Sequence, residues 1–309
     1  MNGRVTAGIT RRGFLVTVPV MGLGLSGLKF NLPQLTDKIR DEIRSRLLEL
    51  INAERFLAGV NDLEFDDLAG RVAMGHAADM ARGNFISHWG SDGRKPYHRY
   101  SFAGGIHATQ ENVASIDRFF SADWKDLAND LIALHVRMHE EKPPRDGHRK
   151  TILAPQHTHV GFGFTAIERR LRLVELYVAK YAEVVGFRSR AGRNETFQLS
   201  GRLLNKKHEL HQIDIFYEPP AVSRQARAHA TEGSYSLPDE YETLLPRLKD
   251  RVRYIDGSRG VIELKDDGRF QVPVKLYKPT PGIYTIVCWV KKTRLEKPFP
   301  ATEICIETE

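Results

Sequence analysis

Four short segments hold the side chains with the most chemistry to offer: Phe85-Ile86-Ser87-His88-Trp89, Glu111-Asn112-Val113-Ala114, Asp146-Gly147-His148-Arg149 and Thr158-His159-Val160-Gly161. His88 and His148 are sixty residues apart, a separation no single helix or strand can close, so only a tertiary fold brings them together. Each stands beside a small residue at the edge of an apolar run, which points to a shared polar cleft. Two neutral imidazoles with one or two carboxylates suit a divalent cation, because imidazole favours zinc and similar borderline metals and a carboxylate compensates charge. A water on such an ion becomes a nucleophile near neutral pH, so the same residue types also permit metal-assisted hydrolysis.

The other polar residues offer less. His135 and His139, four apart on an expected helix, have the spacing of a metal pair but no evident third ligand, and read as a polar helical face. His157 and His159 alternate as ligands on a strand would, while His208 and His211 read as solvated. Ser87 beside His88 suggests a serine hydrolase only weakly: no Gly-x-Ser-x-Gly elbow is present, and a histidine adjacent in sequence seldom has the geometry of a base.

The elements that must position these residues follow from apolar spacing. Ile39, Ile43, Leu47, Leu48 and Ile51 line one face of a helix predicted over Leu35 to Leu57. A second helix is expected to start at a capping Asp66 or Asp67 and stop at Gly83-Asn84, delivering the chain to Phe85 and His88. A third spans Ala122 to about Met138 and ends before Pro143-Pro144. From His159 the pattern changes to strand-like alternation, with Glu168-Arg169-Arg170 as the turn of a strand pair. Residues 186–194 are polar and arginine-rich and mark a linker. Beyond it, Thr196 to Leu204, Ile213 to Tyr217, Gly260 to Leu264, Arg269 to Leu276 and Ile283 to Val290 read as short strands of an all-β sandwich, with Tyr284 at a corner of the kind immunoglobulin-like sandwiches fill with tyrosine.

A chain of 309 residues has room for two cores, and its 46 basic and 39 acidic side chains leave a net charge of +7 spread over both halves. No block of basic charge and no nucleic-acid motif occurs, so a nucleic-acid partner is not expected. Thr10-Arg11-Arg12-Gly13-Phe14-Leu15, followed by a mildly apolar run to Leu28, reads as a twin-arginine export signal within residues 1–30, or alternatively as a buried first helix. The run is too short and glycine-rich for a stable membrane span, although an uncleaved anchor stays open. Cys288 and Cys305 either pair across a hairpin of residues 283–290 and 301–308 or are separately buried thiols.

Taken in order, Ser87-His88, Glu111-Asn112-Val113-Ala114, Gly147-His148-Arg149 and Thr158-His159-Val160-Gly161-Phe162-Gly163 resemble the motifs of the CAP superfamily, which includes cysteine-rich secretory, antigen-five and pathogenesis-related proteins. The resemblance covers residues 35–185. It implies a three-layer α/β/α sandwich there, which together with the immunoglobulin-like all-β sandwich read from the strands of 195–309 makes the chain α+β. It also implies a cavity of His88, Glu111, His148 and Glu141, with Glu140 competing for the last position. In that reading the two histidines hold a divalent cation, zinc foremost, and the glutamates orient them or hold water. The family implies an exported binding module, periplasmic, at the cell surface or extracellular, with an envelope, lipid or protein ligand. The alternatives are a metal-dependent hydrolase of peptides or envelope polymers, with Glu111 or Glu141 as general base, and a lipid carrier. Gln110 in place of the usual glycine, Trp89 after His88 and a first domain without cysteine depart from the family pattern.

Overall fold

The computed structural model describes residues 15–18, 36–117, 123–223, 235–292 and 297–309. Most of the expected export segment lies outside them. Of that segment, Leu15–Val18 forms strand β1.

The first region contains α1 (Asp37–Leu57), β2 (Glu64–Phe65), α2 (Asp67–Gly83), α3 (Pro96–Phe102), β3 (Ala108–Asp117), α4 (Trp124–His139), α5 (Gly147–Ile152), β4 (His159–Ile167) and β5 (Arg170–Ala179). Side-chain caps set the long helices. Thr36 accepts from the Ile39 amide at the start of α1, Asp66 accepts from the Ala69 amide at 2.6 Å at the start of α2, and Asp123 caps α4. Asn84 ends α2 in the left-handed conformation at φ 50°, a role its short polar side chain tolerates. Glu168 and Arg169 both take positive φ, 46° and 67°, which is the twist a two-residue hairpin turn needs between β4 and β5.

The sheet runs β1-β3-β5-β4-β2, antiparallel across β3, β5 and β4 with short parallel strands at the edges. Strand alternation divides its side chains between two faces. Leu171, Leu173 and Tyr177 of β5 pack with Ile43, Leu47 and Ile51 of α1 and Leu127, Leu131 and Leu134 of α4. Val174, Leu176 and Val178 pack on the other face with Ala69, Ala73 and Ala77 of α2 and Tyr100 of α3. The region is therefore three-layered. Gly161 and Gly163 let α2 lie directly on β4: a Cβ on Gly161 would fall 2.1 Å from the Gly70 nitrogen, and one on Gly163 2.0 Å from the Ala73 carbonyl carbon.

The regular elements among the described residues of the second region are strands: β6 (Ala182–Val185), β7 (Arg190–Ala191), β8 (Thr196–Leu203), β9 (Glu209–Glu218), β10 (Tyr241–Leu244), β11 (Glu263–Leu264), β12 (Arg269–Lys275), β13 (Gly282–Lys291), β14 (Phe299–Pro300) and β15 (Ile304–Thr308). One sheet runs β10-β9-β13-β15-β7 with β14 paired to β13, and the other β11-β12-β8-β6. Leu199, Phe270 and Val272 from one sheet meet Ile213, Ile286 and Ile304 from the other in a common core. β6 and β7 belong to these sheets, so residues 182–185 of the expected first region and 190–191 of the expected linker hydrogen-bond within the second. The two cysteines are separate thiols. Cys305 lies opposite Thr285 in the β13–β15 ladder and packs with Trp89 and Tyr97, whereas Cys288 points into the sheet–sheet core. Opposite faces of a sheet cannot be bridged by one disulfide.

The two regions meet along one edge of β3. Among the described residues β1 pairs with β3 from Val113 onward, and the earlier part of β3 meets the second region. The Ala108 amide donates to the Ala301 carbonyl at 3.2 Å, the Thr109 amide to Glu303 Oε2 at 2.8 Å and the Glu111 amide to the Tyr235 hydroxyl at 2.6 Å. An exposed strand edge is thereby covered.

Candidate functional site

His88 follows the turn after α2. His76 Nε2 of that helix donates to the Ser87 carbonyl at 2.8 Å, and Ser87 Oγ accepts from the Trp89 amide at 3.1 Å. Ser87 is thus a turn-forming residue that orients the chain into His88. His88 Nδ1 lies 2.9 Å from Glu111 Oε1, and both side chains are fully buried. Glu111 projects from β3 toward α2 and α3, where Arg99 of α3 reaches its Oε2 at 2.5 Å and also donates to the His88 carbonyl at 2.7 Å.

These contacts decide the charges. Burial alone raises a carboxylate's pKa, but Arg99, His76 and His88 together outweigh it and hold Glu111 down to about 2. Burial is also the largest influence on His88 and keeps its pKa below the usual range, with Glu111 acting in the opposite direction. Near neutral pH the site therefore holds an ionised Glu111, a charged Arg99 and a neutral His88. An ionised carboxylate only accepts, so His88 carries its proton on Nδ1 and its lone pair on Nε2. That Nε2 is buried and makes no hydrogen bond among the described residues.

His148 is placed from the other side by α5. Glu141, in the turn between α4 and α5, accepts from the His148 amide at 3.0 Å and lies 2.6 Å from His148 Nδ1 through its other oxygen. Glu140 caps the C-terminus of α4 and is exposed. The two imidazoles are electrostatic neighbours: a charge on His148 disfavours one on His88. Each histidine thus has a glutamate on Nδ1, an arrangement that orients imidazoles whose Nε2 binds a metal. Among the described residues, however, no group of three His, Cys, Asp or Glu side chains converges to hold a metal ion.

Tyr235 completes the site from the second region. Its ring lies 4.8 Å from that of His88, centroid to centroid, its hydroxyl accepts from the Glu111 amide, and only 2% of its surface is exposed. Sequence reasoning missed Tyr235, His76 and Arg99. The run Lys95-Pro96-Tyr97-His98-Arg99, lying between His88 and Glu111, was the available signal for Arg99.

Four other histidines weighed in the sequence, His135, His157, His159 and His208, lie elsewhere, with the partners of His135. His135, expected on a polar helical face, is fully buried on one: Nδ1 lies 2.6 Å from Glu175 Oε1 and Nε2 2.8 Å from Glu54 Oε2, and Glu54 also reaches His139 at 3.1 Å. The helical spacing places both imidazoles on one carboxylate. His157 Nδ1 bonds the Thr151 carbonyl, and His159 bonds Thr158. His208 packs edge-on against Tyr181 and Phe299.

Residues 48–181 match the family described as CAP, the cysteine-rich secretory protein family. The stretch includes His88, Glu111, Glu141 and His148. Over 120 residues the chain is 28% identical to the uncharacterized protein YkwD of Bacillus subtilis (strain 168), covering 38% of this chain and 41% of that protein. It therefore spans about two fifths of the curated relative it matches. Among solved structures it is similar to an extracellular protein containing a SCP domain from Bacillus anthracis (TM-score 0.36, 21% identity, 48% of this chain and 45% of that one). It is also similar to an outer surface protein of Borrelia burgdorferi (TM-score 0.34, 19% identity, 44% of this chain and 92% of that one).

Proposed function

Starting from the match of residues 48–181 to the cysteine-rich secretory protein family, we propose that the chain is an exported binding module whose working site is the His88–Glu111 and His148–Glu141 pair of dyads. The observation that carries this reading is His88 Nε2, a buried lone pair without a hydrogen-bond partner among the described residues on a ring whose other nitrogen is held by an ionised glutamate. Native interiors seldom leave a polar atom in that state unless something binds there. A divalent cation such as zinc, held by His88 and His148 with solvent or ligand completing its shell, fits this donor set. When bound, such an ion supplies Lewis acidity; the protein's part is to orient the imidazoles and keep Nδ1 protonated. Export rests on the Thr10-Arg11-Arg12 segment and on the family described as secretory. Among the described residues no helix is long and apolar enough to cross a membrane.

The second region is read as an immunoglobulin-like sandwich that begins with β6 and contacts envelope material or another protein. Its strand order supports this, as does the Tyr284 hydroxyl, which accepts from the Lys278 amide at 2.6 Å in the manner of a tyrosine corner. The test of the site is calorimetric titration with zinc. The expected result is one ion per chain, with affinity lost in His88→Ala and in His148→Ala and weakened in acid, as for any metal site with nitrogen ligands. Zinc bound equally by both variants would reject the site.

A further inference from the structure

The second region reaches the His88 site through one side chain, Tyr235. Tyr235 is buried against the His88 ring and satisfies the Glu111 amide, on the part of β3 that precedes the Val113–Ile116 ladder with β1. The residues beside it are also anchored. The Ser236 carbonyl accepts from Lys95 Nζ at 3.3 Å and from the Tyr97 hydroxyl at 3.4 Å, and Leu237 packs with Ala221 on the Trp89, Tyr97 and Cys305 cluster. Glu218, at the end of β9, holds the same face of α3 through Lys95 at 2.7 Å, His98 at 3.1 Å and the Tyr97 hydroxyl at 3.1 Å. The grip is therefore an aromatic side chain, a backbone carbonyl held by Lys95 and an apolar residue two positions on.

We propose that Tyr235 is an intramolecular occupant of the His88 site, and that a ligand reaches the imidazole only when Tyr235 withdraws. The inference rests on reading His88 as the working group. A competing ligand must offer what Tyr235 offers: an oxygen acceptor for the Glu111 amide and a flat or apolar surface for the His88 ring. Binding is then reduced by the fraction of time the tyrosine is seated. The second region acts as a built-in competitor.

Diethyl pyrocarbonate, which acylates accessible neutral imidazoles, tests the occupancy without any metal or ligand. In the folded full-length chain at neutral pH, site-resolved mass spectrometry should find His88 labelled at least about tenfold more slowly than His159, whose side chain is 18% exposed. Tyr235→Gly should raise the His88 rate by about tenfold or more and leave His159 unchanged. A natively folded Tyr235→Gly whose His88 stays slow, or a wild-type His88 already as fast as His159, overturns the proposal. Should Tyr235→Gly fail to fold, hydrogen exchange on the wild type decides: the Glu111 amide, held by Tyr235, should exchange at least about tenfold faster than the amides of the β4–β5 ladder. Equal rates would show that Tyr235 leaves only on global unfolding and would reject the proposal. Failure of zinc binding would remove the metal reading and leave these labelling results untouched.

Discussion

Glu111 and Asn112 are neighbours in β3 and point to opposite faces of the sheet: Glu111 reaches His88 and Arg99 on the α2–α3 side, and Asn112 donates to the His148 carbonyl and to Glu175 on the α4 side. The Glu-Asn pair is thus a two-sided clamp. One residue sets the tautomer of His88, while the other fixes the backbone that carries His148 and ties it to the buried His135 network. The alternation of side chains along a strand makes this possible with two consecutive positions.

Arg99→Met should be among the most damaging single substitutions in the first region. It leaves Glu111 buried without its main counter-charge, and breaking one partner of a buried pair costs about 3–5 kcal/mol. Urea unfolding near pH 7 measures the loss. A loss below about 1 kcal/mol would mean that His76 and His88 suffice to hold the carboxylate.

His135 predicts an alkaline weakness. Burial opposes its charge, but Glu175 and Glu54 prevail and raise its pKa from 6.5 to about 10. A group whose folded-state pKa is raised stabilises the fold fully below its unfolded value and loses that contribution as pH rises through the folded one. The stability gap between wild type and His135→Gln should therefore be widest near pH 6 and shrink steadily toward about pH 10. A gap independent of pH over that range would show that His135 is neutral in the native state.

On the acid side Glu218 behaves oppositely. Burial would raise its pKa, but His98 and Lys95 hold it down from 4.5 to about 2. Its contribution is present above its unfolded value and lost as pH falls toward about 2. Thermal melts at pH 6 and near pH 3 should show wild type losing more than Glu218→Gln does, and equal losses would place the acid sensitivity elsewhere.

Gly161→Ala forces α2 off β4, because the added methyl meets backbone that cannot rotate away. The expected cost is at least the roughly 1–3 kcal/mol of ordinary overpacking. A variant melting within a few degrees of wild type would mean that the helix shifts cheaply.

Both thiols should stay silent in the folded protein. Burial pushes Cys288 up to about 12 and raises Cys305 as well, so neither offers thiolate. Ellman's reagent should titrate none in buffer and two in urea, with no effect of reductant on the melting temperature. One oxidised equivalent in non-reducing mass analysis would contradict the separation of the two faces.

Much of the first region was legible because its signals are local. A capping aspartate three residues before the amide it accepts, an asparagine that tolerates the left-handed region, and the turn at Glu168-Arg169 act over a few residues and need no knowledge of the rest of the chain. Strand parity in β13 and β15 was local too, yet it placed the cysteines on opposite faces only once the Thr285–Cys305 register was known. For His135 helical spacing identified a polar face without saying what covers it, and the cover is Glu54 and Glu175 from two distant elements.

The sequence by itself determined which imidazoles and carboxylates were candidates, because their chemistry belongs to residue type and the motif order survives without coordinates. Tertiary structure alone decided that each glutamate sits on a histidine Nδ1, and that Tyr235, 124 positions from Glu111, closes over the result. Contacts at that separation arise where two cores meet along a strand edge, and neither periodicity nor composition records which edge that will be.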